Sequence, residues 1–489
     1  MMHHLQNLIR SSSASRLRVF GTLLVLGICA THAAGADPAT GRLRAGAATS
    51  NITPPLGVSI AGSMSDHRVT HIHDELHARA LVLDNGVHRL ALVTVDSCMI
   101  PREIFDAAKL TVQEKTGIPA SHVLMAATHA HSAATATPVF QSKPDADYQR
   151  FLTVRIADAV RRAHNQLEPA RIGWGVGAEP NQVFNRRWHM QPGGLRPDPF
   201  GNTTDQVRMN PPRADPNLIE PAGPIDPAVS VISVQSADGR PIALLGNYSL
   251  HYVGGVGGGH ASADYFGMFA DRITELIDAD RQDPPFVGML SNGTSGDINN
   301  INFRVPGERR KPYEQMRIVA EAVAREAHRV YGKIDYTDRV VLDARVADIQ
   351  LGVRRPGPEE VSRAKEILAQ VEGPVLRSLE EIYAGETVAL SRYPATVDVV
   401  LQAVRIGDLG ICAIPCEVFV EIGLELRSLS PLQPMFTIEL ANGYNGYLPT
   451  AAHHKLGGYE TWRAKSSYLE VDAASKIVKT LGGLLDDLK

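Results

Sequence analysis

The sequence predicts an α/β protein with a mixed β-sheet core flanked by helices. Three observations lead to this fold class: apolar, β-branched runs of strand length, amphipathic stretches with apolar residues spaced near 3.6, and the alternation of the two along the chain. The chain has 489 residues, of which 44% are hydrophobic, so it can bury a large core. Interleaved strands and helices indicate a mixed sheet rather than segregated layers.

The predicted elements follow from these patterns in chain order. Runs 77–83 and 88–95 are joined by Asp84-Asn85-Gly86-Val87, which is typical of a hairpin turn. Amphipathic spacing predicts helices at 102–116, 148–167, 264–277, 313–330, 417–427 and 471–485. Further strands are predicted at 122–128, 229–235, 242–250, 286–290 and 435–440, with two more within 397–414. Residues 190–227, crowded with Pro, Gly, Asn and Asp, predict a long loop.

Composition excludes several classes of protein. Lys and Arg number 49 against 53 Asp and Glu, a formal charge of −4 without a long basic run, which argues against a nucleic-acid partner. The chain is too apolar to be disordered, and four cysteines are too few for a disulfide framework. No repeat of 20 to 50 residues is present, which indicates one large domain or two that share an interface.

The first 36 residues indicate a secretory signal peptide. Three arginines precede the apolar run 19–30, and Ala34-Gly35-Ala36 offers a cleavage pattern before Asp37. The run is shorter than the ~20 apolar residues of a membrane-spanning helix. We therefore expect a signal peptide at 1–36, a catalytic domain at 37–489 without a transmembrane segment, and a secreted or periplasmic location.

A pair of histidines follows a predicted buried strand, in the segment Thr128-His129-Ala130-His131-Ser132. In an extended chain both imidazoles point to the same face, which suits a metal site or acid/base chemistry. An isolated His-x-His is as often a pair of surface histidines, but ligands bind at strand ends of α/β sheets. His251 ends the predicted strand 242–250 and makes a plausible metal pair with His129.

Other candidate features leave more than one interpretation open. Glu417 lies at a strand-to-helix junction, where a carboxylate can also stabilise the helix dipole. The polar segment 293–300 suits either an oxyanion cradle or a turn. No Gly-x-Ser-x-Gly motif is present, which argues against a serine-hydrolase triad. Ser132-Ala133-Ala134 departs from the metallo-β-lactamase pattern.

Taken in order, these and other motifs resemble the catalytic domain of the neutral/alkaline (non-lysosomal) ceramidases. The resemblance covers nearly the whole mature chain. It rests on Val95-Asp96, Thr128-His129-Ala130-His131-Ser132, Asn185-Arg186, Leu250-His251, Ser262-Ala263-Asp264-Tyr265-Phe266-Gly267, Gly296-Asp297, Pro415-Cys416-Glu417, Ala441-Asn442-Gly443-Tyr444, Tyr447 and Tyr459-Glu460.

The resemblance implies a fold, a cofactor and a set of site residues. A single catalytic Zn²⁺ would have four protein ligands: His129, His251, Glu417 and Tyr447. His131 would face the substrate, with Arg186 and Tyr459 contacting the scissile amide region. Zinc lowers the pKa of a bound water and polarises a carbonyl, so amide hydrolysis becomes feasible near neutral pH. Asp96 and Asp264 are candidates either to orient the imidazoles or to act as structural turn acids.

Two departures from the family pattern bear on the chemistry. Where ceramidases carry a serine after the Gly-Asp segment, this chain has Asn299, which cannot be acylated but can donate a hydrogen bond to an oxyanion. Ser295 is a poorer stand-in for that serine. The chain also stops soon after Tyr468, so we expect no counterpart of the C-terminal β-sandwich domain of ceramidases.

The sequence therefore predicts a secreted zinc-dependent amidohydrolase that cleaves an N-acyl amide bond by zinc-activated water. Its expected partner is a small-molecule or lipid N-acyl substrate, with peripheral contact to lipid. An amidase or esterase acting on a different acyl substrate is the alternative within enzymes. A binding protein that kept the fold without the chemistry is the alternative outside them.

Overall fold

Two stacked β-sheets with helices on their outer faces build the core of the protein. The computed structural model describes residues 41–489, and the predicted signal peptide at 1–36 lies outside the described residues. The predicted fold class, a mixed β-sheet core flanked by helices, is confirmed. No helix within 41–489 is long and apolar enough to cross a membrane.

The described strands and helices interleave along the chain. The strands are β1 (Arg44–Asn51), β2 (Ser59–Ile60), β3 (His67–Arg68), β4 (His71–Ile72), β5 (His77–Asp84), β6 (Arg89–Val95), β7 (Val123–Ala127), β8 (Glu168–Ala178), β9 (Phe184–Asn185), β10 (Arg187–Met190), β11 (Val207–Met209), β12 (Leu218–Pro221), β13 (Ala228–Ser236), β14 (Pro241–Tyr248), β15 (His260–Ala261), β16 (Val287–Asn292), β17 (Ile298–Asn299), β18 (Leu342–Gly352), β19 (Thr396–Ile406), β20 (Leu409–Ile414), β21 (Glu417–Val418), β22 (Met435–Glu439) and β23 (Tyr447–Leu448). The helices are α1 (Arg102–Thr116), α2 (Ala146–Asn165), α3 (Asp264–Leu276), α4 (Glu314–Tyr331), α5 (Pro358–Leu368), α6 (Leu379–Leu390), α7 (Val420–Leu429), α8 (Ala451–Leu456) and α9 (Ala473–Asp486). Short 3₁₀ turns occur at Ala120–His122, Pro180–Gln182 and Tyr459–Thr461.

The larger sheet has eight strands in the order β16-β14-β13-β8-β1-β5-β6-β7, and the smaller has four in the order β18-β19-β20-β22. Both sheets are mixed, because β6 with β7, β14 with β16 and β20 with β22 pair in parallel. Only two residue pairs, Arg44 with Pro169 and Ala45 with Glu168, join β1 to β8. The larger sheet therefore consists of two four-stranded halves with a narrow junction.

Each central strand is covered on both faces. In β5, Ala78 and Val82 belong to the core shared with α1 and α2, whereas Leu81 and Leu83 pack between the two sheets. Helices α3 and α4 cover the other half of the large sheet, and α7 and α9 cover the small sheet. Strands that are buried on both faces read as continuous apolar runs, which is why the hairpin β5–β6 was predictable.

Two strands of the large sheet escaped sequence prediction because close packing selects small residues in them. A Cβ on Gly46 of β1 would lie 2.2 Å from the carbonyl oxygen of Ala163 in α2. A Cβ on Gly173 of β8 would lie 2.3 Å from the carbonyl oxygen of Asp335. Glycine at these positions lets neighbouring backbone approach closely. It also takes the place of the β-branched residues by which a strand is recognised in a sequence.

Two predicted elements need correction. The helix predicted at 417–427 begins only at Val420, since Glu417 and Val418 form β21 and pair in parallel with β23. Glu417 is thus a strand residue and not a helix cap. The loop predicted at 190–227 contains β11 and β12, which flank β10 in a three-stranded sheet.

Candidate metal centre

Segments that follow three different strands meet at one point of the fold. His129 lies two residues beyond β7, His251 three residues beyond β14, and Glu417 three residues beyond β20. One ligand atom from each lies within 4.8 Å of the others, and all three residues are at most 2% exposed. The structure therefore brings together three of the four metal ligands expected from the sequence.

His129 and His131 face the same cleft, as predicted, but the extended backbone expected for them was wrong. The backbone of His129 has φ +75°, in the left-handed region, and its N–H donates to the carbonyl of Ser97 at 2.9 Å. The turn brings the two Nε2 atoms to 3.0 Å from each other. The convergence of the imidazoles thus comes from a strained turn after β7, not from strand alternation.

Hydrogen bonds to the backbone fix the tautomer of every imidazole in the cluster. In each ring Nδ1 meets a carbonyl oxygen: His129 with Cys98 at 2.9 Å, His131 with Gly62 at 2.9 Å, and His251 with Ser295 at 3.0 Å. A carbonyl oxygen only accepts, so Nδ1 carries the proton in all three rings. In the neutral form of each ring, Nε2 then presents a lone pair toward the centre of the cluster.

The facing lone pairs of the neutral rings fit a cation between them. His129 Nε2 lies 2.9 Å from His251 Nε2, and two acceptor nitrogens cannot hydrogen bond to each other. Glu417 Oε2 lies 3.3 Å from His129 Nε2 and is buried without a hydrogen-bond partner. Burial also lowers the pKa of His251 well below its usual value. Two imidazole nitrogens and an orphaned carboxylate oxygen are a donor set that fits Zn²⁺.

Tyr447, the fourth expected ligand, lies at the edge of the same cluster. Its hydroxyl accepts a hydrogen bond from Arg186 Nη2 at 3.1 Å. The hydroxyl of Tyr444 donates to Glu417 Oε1 at 2.9 Å, which leaves Oε2 directed at the histidines.

A buried ion network supports Tyr447 from behind. Glu460 accepts from Arg186 Nε at 3.0 Å with one oxygen and from Arg187 Nη1 at 2.6 Å with the other. All three side chains are at most 4% exposed. Arg186 also donates to the carbonyl oxygen of Gly296 at 2.8 Å. The guanidinium that contacts Tyr447 is therefore held in one position.

A narrow pocket with a volume of about 30 Å³ opens onto the cluster. His131 lines it and stacks on Tyr252, with ring centroids 3.6 Å apart and planes 13° apart. Tyr459 lines the pocket too, and its ring lies 5.8 Å from that of Tyr447. The remaining wall includes Met99 and other apolar side chains. The pocket thus combines a polar floor with apolar walls.

Asn299 is placed differently from the other expected site residues. It lies in β17, does not line the pocket, and both ends of its amide are engaged. Nδ2 donates to Asn210 Oδ1 at 2.6 Å, and Oδ1 accepts from the N–H of Ile301 at 2.9 Å. Ser295 is fully buried, and its hydroxyl donates to Glu439 at 2.5 Å. Neither side chain is free to attack a substrate.

Of the two interpretations left open for Asp96 and Asp264, the structure favours the structural one, because neither carboxylate accepts from an imidazole of the cluster. Asp96 accepts from the N–H of His77 and from Arg79 Nη1. Asp264 accepts from the N–H groups of Val253 and Gly254, as a structural turn acid does. Backbone carbonyls take the orienting role, and a carbonyl leaves no signature in the sequence.

Glu439 is a buried carboxylate beneath the cluster that the sequence did not point to. Ser295 N and Val418 N donate to its Oε2 at 3.1 and 2.7 Å, in addition to the bond from the Ser295 hydroxyl. These contacts connect the segment that holds His251 to the segment that holds Glu417. Burial raises the pKa of Glu439 to about 8, although the hydrogen bonds from Ser295 lower it.

This raised pKa predicts a pH-dependent stability that Glu439→Gln removes. The folded protein keeps the proton up to about pH 8, whereas the unfolded chain releases it near 4.5. Stability should therefore fall as pH rises through this window, by up to about 1.4 kcal/mol per pH unit. Glutamine fits the same donors, because its oxygen accepts from both N–H groups and its nitrogen donates to the Ser295 hydroxyl.

Thermal unfolding of chelator-treated protein across this pH window provides the measurement. The Tm of the wild type should drop with pH relative to that of Glu439→Gln. The Tm of Glu425→Gln, a change at an exposed glutamate of α7, should fall with pH in parallel with the Tm of the wild type. Parallel curves for the wild type and Glu439→Gln would contradict the prediction.

These features define a class of protein: a two-sheet α/β fold in which a cluster of histidines and a carboxylate, suited to holding a metal ion, lies beyond the strand ends at a pocket with apolar walls. Among solved structures, the chain is similar to neutral ceramidase from Pseudomonas aeruginosa, with 19% identity, a TM-score of 0.68, and coverage of 91% of this chain and 74% of that one. It is also similar to a ceramidase solved in complex with C2, with 17% identity, a TM-score of 0.68, and coverage of 91% and 75%. No protein-family model and no curated protein matches the chain. The protein has the neutral-ceramidase-like fold predicted from its sequence.

Proposed function

We propose that the protein is a secreted, zinc-dependent amidohydrolase that cleaves the amide bond of a ceramide-like N-acyl substrate. The observation that supports it best is the set of tautomer-locked imidazoles whose lone pairs meet the orphaned oxygen of Glu417 in a ceramidase-like fold. Export is proposed from the sequence of residues 1–36 alone.

His129, His251, Glu417 and Tyr447 would hold the metal in this proposal. A bound Zn²⁺ supplies a water of lowered pKa and polarises the substrate carbonyl. The chain's own contribution is to present neutral imidazoles and one carboxylate in fixed orientations. Arg186 donates to the Tyr447 oxygen, so the remaining lone pairs of that oxygen are free to face the cluster.

His131 serves the substrate rather than the metal in this proposal. It lines the pocket and is half-buried, whereas His251 is 1% exposed and does not line the pocket. With Nδ1–H bound to Gly62, its Nε2 can take a proton from the attacking water and return it to the leaving amine. In this proposal the hydroxyl of Tyr459, which lines the same pocket, donates to the scissile carbonyl.

Water is the nucleophile in this account, since Ser295 and Asn299 are both engaged in other hydrogen bonds. An oxyanion-stabilising role for Asn299 stays a prediction and requires release from Asn210. The apolar walls contributed by Met99, Val139 and Phe140 suit an acyl chain. Peripheral contact with lipid, where such substrates reside, is part of the proposal.

The test is hydrolysis of a panel of N-acyl amides and esters of graded acyl length, ceramide included. Activity should disappear on chelation and return with Zn²⁺. Turnover of ceramide identifies the amidohydrolase proposed, whereas turnover of short amides or esters alone identifies the alternative acyl substrate. A zinc-loaded protein that hydrolyses none of them would overturn the proposal and indicate a binding protein.

A further inference from the structure

A second cluster of metal-ligating side chains lies away from the pocket, where the two sheets meet. His88 lies in the turn between β5 and β6, His122 ends the 3₁₀ turn before β7, and Asp343 is the second residue of β18. One ligand atom from each lies within 4.8 Å of the others. His122 and His129 flank opposite ends of β7, so this cluster is roughly 20 Å from the candidate metal centre.

His122 is oriented as a ligand. Its Nε2 is buried, has no hydrogen-bond partner, and lies 4.0 Å from Asp343 Oδ1. Its Nδ1 lies 3.1 Å from the hydroxyl oxygen of Ser121, so Nδ1–H can donate there and leave the Nε2 lone pair free. An unpartnered buried nitrogen directed at a carboxylate is unfavourable unless a cation joins them.

His88 is held beside His122 by its own turn. Asn85 Oδ1 accepts from the N–H of His88 at 2.7 Å, and Asn85 Nδ2 donates to the carbonyl of Val340 at 3.0 Å. The turn is thereby fixed against the segment that leads into β18. The two imidazoles stack with planes 15° apart and centroids 5.5 Å apart, at the edge of a surface hollow that both line. Water can complete the coordination from this hollow.

The charges of the groups around the cluster are compatible with a bound cation. Asp343 Oδ1 also accepts from Arg345 Nη1 at 2.5 Å and from the N–H of Ala344 at 2.8 Å, so a cation would share this oxygen with a guanidinium that is 41% exposed. Burial and the neighbouring His88 lower the pKa of His122, which keeps it neutral as a ligand must be. Asp343 supplies the negative charge.

We infer that His88, His122 and Asp343 bind a divalent cation of borderline softness, with Zn²⁺ as the best match. Two imidazoles and one carboxylate, with an open position toward water, are a common zinc ligand set. The three ligands come from the large sheet's hairpin, the start of β7 and the small sheet. The ion would therefore clasp the two sheets together, in a structural role separate from hydrolysis.

Zinc content per folded chain, measured after dialysis against micromolar Zn²⁺, tests the inference. We expect two equivalents for the wild type and one for His122→Gln and for Asp343→Asn. His328→Gln, a change at a half-buried histidine of α4 that stacks on Tyr331, should keep two equivalents of zinc. Glu417→Gln should keep the one at this second site. Equal zinc content in the wild type and His122→Gln would overturn the inference.

A measurement on the unmodified chain guards against variants that fail to fold. Diethyl pyrocarbonate acylates imidazoles that are accessible and not coordinated, and peptide mass spectrometry locates the products. Zn²⁺ should protect His88 and His122 and leave the modification of His328 unchanged. Equal modification of His88 with and without Zn²⁺ would contradict a metal at this cluster.

Discussion

Glu417→Gln should remove the metal from the candidate centre and abolish hydrolysis while the protein stays folded. Glutamine replaces a charged ligand oxygen with a neutral amide of similar size next to His129 and His251. Changes outside the direct ligands already lower metal affinity or activity by about 10–100-fold, so loss of a direct ligand should lower kcat/KM by more than about 100-fold. Zinc content and kcat/KM on the same preparation are the readouts.

Glu421→Gln is the matched control for this change. Glu421 lies four residues further along, in α7, and contacts His453 Nε2 at 3.3 Å instead of the histidine cluster. We expect it to keep the metal of the candidate centre and its activity. A Glu417→Gln protein that retains zinc there and full turnover would show that Glu417 is not a ligand.

His131→Gln separates binding of the metal from proton transfer. If His131 handles the proton, this variant should keep the metal and lose about 10²–10⁴-fold in kcat. Loss of the metal from this variant would instead identify His131 as a metal ligand. The His129-Ala130-His131 spacing alone left that role open. The structure places its Nε2 as close to His129 Nε2 as that of His251, so only this comparison divides the two roles.

Glu460→Gln should destabilise the fold by about 3–5 kcal/mol, the usual loss when one partner of a buried ion pair is removed. Glu460 is the carboxylate that both Arg186 and Arg187 contact, and the change leaves two buried guanidinium groups facing an uncharged amide. The free energy of unfolding from urea titration is the measurement. A loss below about 1 kcal/mol, typical of an exposed pair, would contradict this account of the network.

Arg186→Met and Arg187→Met form a matched pair within the same network. Both remove one cation from Glu460, and both should cost stability. Only Arg186 reaches Tyr447, whereas Arg187 donates to the carbonyl of Gly457 instead. Activity per folded molecule should therefore fall for Arg186→Met and persist for Arg187→Met. Equal losses in both variants would assign Arg186 a purely structural role.

The central strands of the fold could be predicted because strands that are buried on both faces appear in the sequence as continuous apolar runs. The hairpin β5–β6 and helix α1 match their predicted bounds closely. Strands β1 and β8 could not be predicted, because close backbone contact at Gly46 and Gly173 replaces β-branched residues with small ones. The division into two sheets depends on long-range packing that no local pattern records.

The candidate site was likewise predictable in part. His129 and His131 were recognisable from their spacing after a strand, and the resemblance to ceramidases supplied Glu417 and Tyr447. The positive φ of His129, which makes the imidazoles converge, has no local sequence signal such as glycine or asparagine. Glu460 and Glu439 act through partners more than 100 residues away, so only the folded chain reveals them.

Anomalous X-ray scattering at the zinc edge, on crystals of the protein purified without chelators, tests the central claim most directly. The account predicts a peak between the Nε2 atoms of His129 and His251, in bonding contact with the carboxylate of Glu417. A map with no peak at this position, from protein that is active, would contradict it.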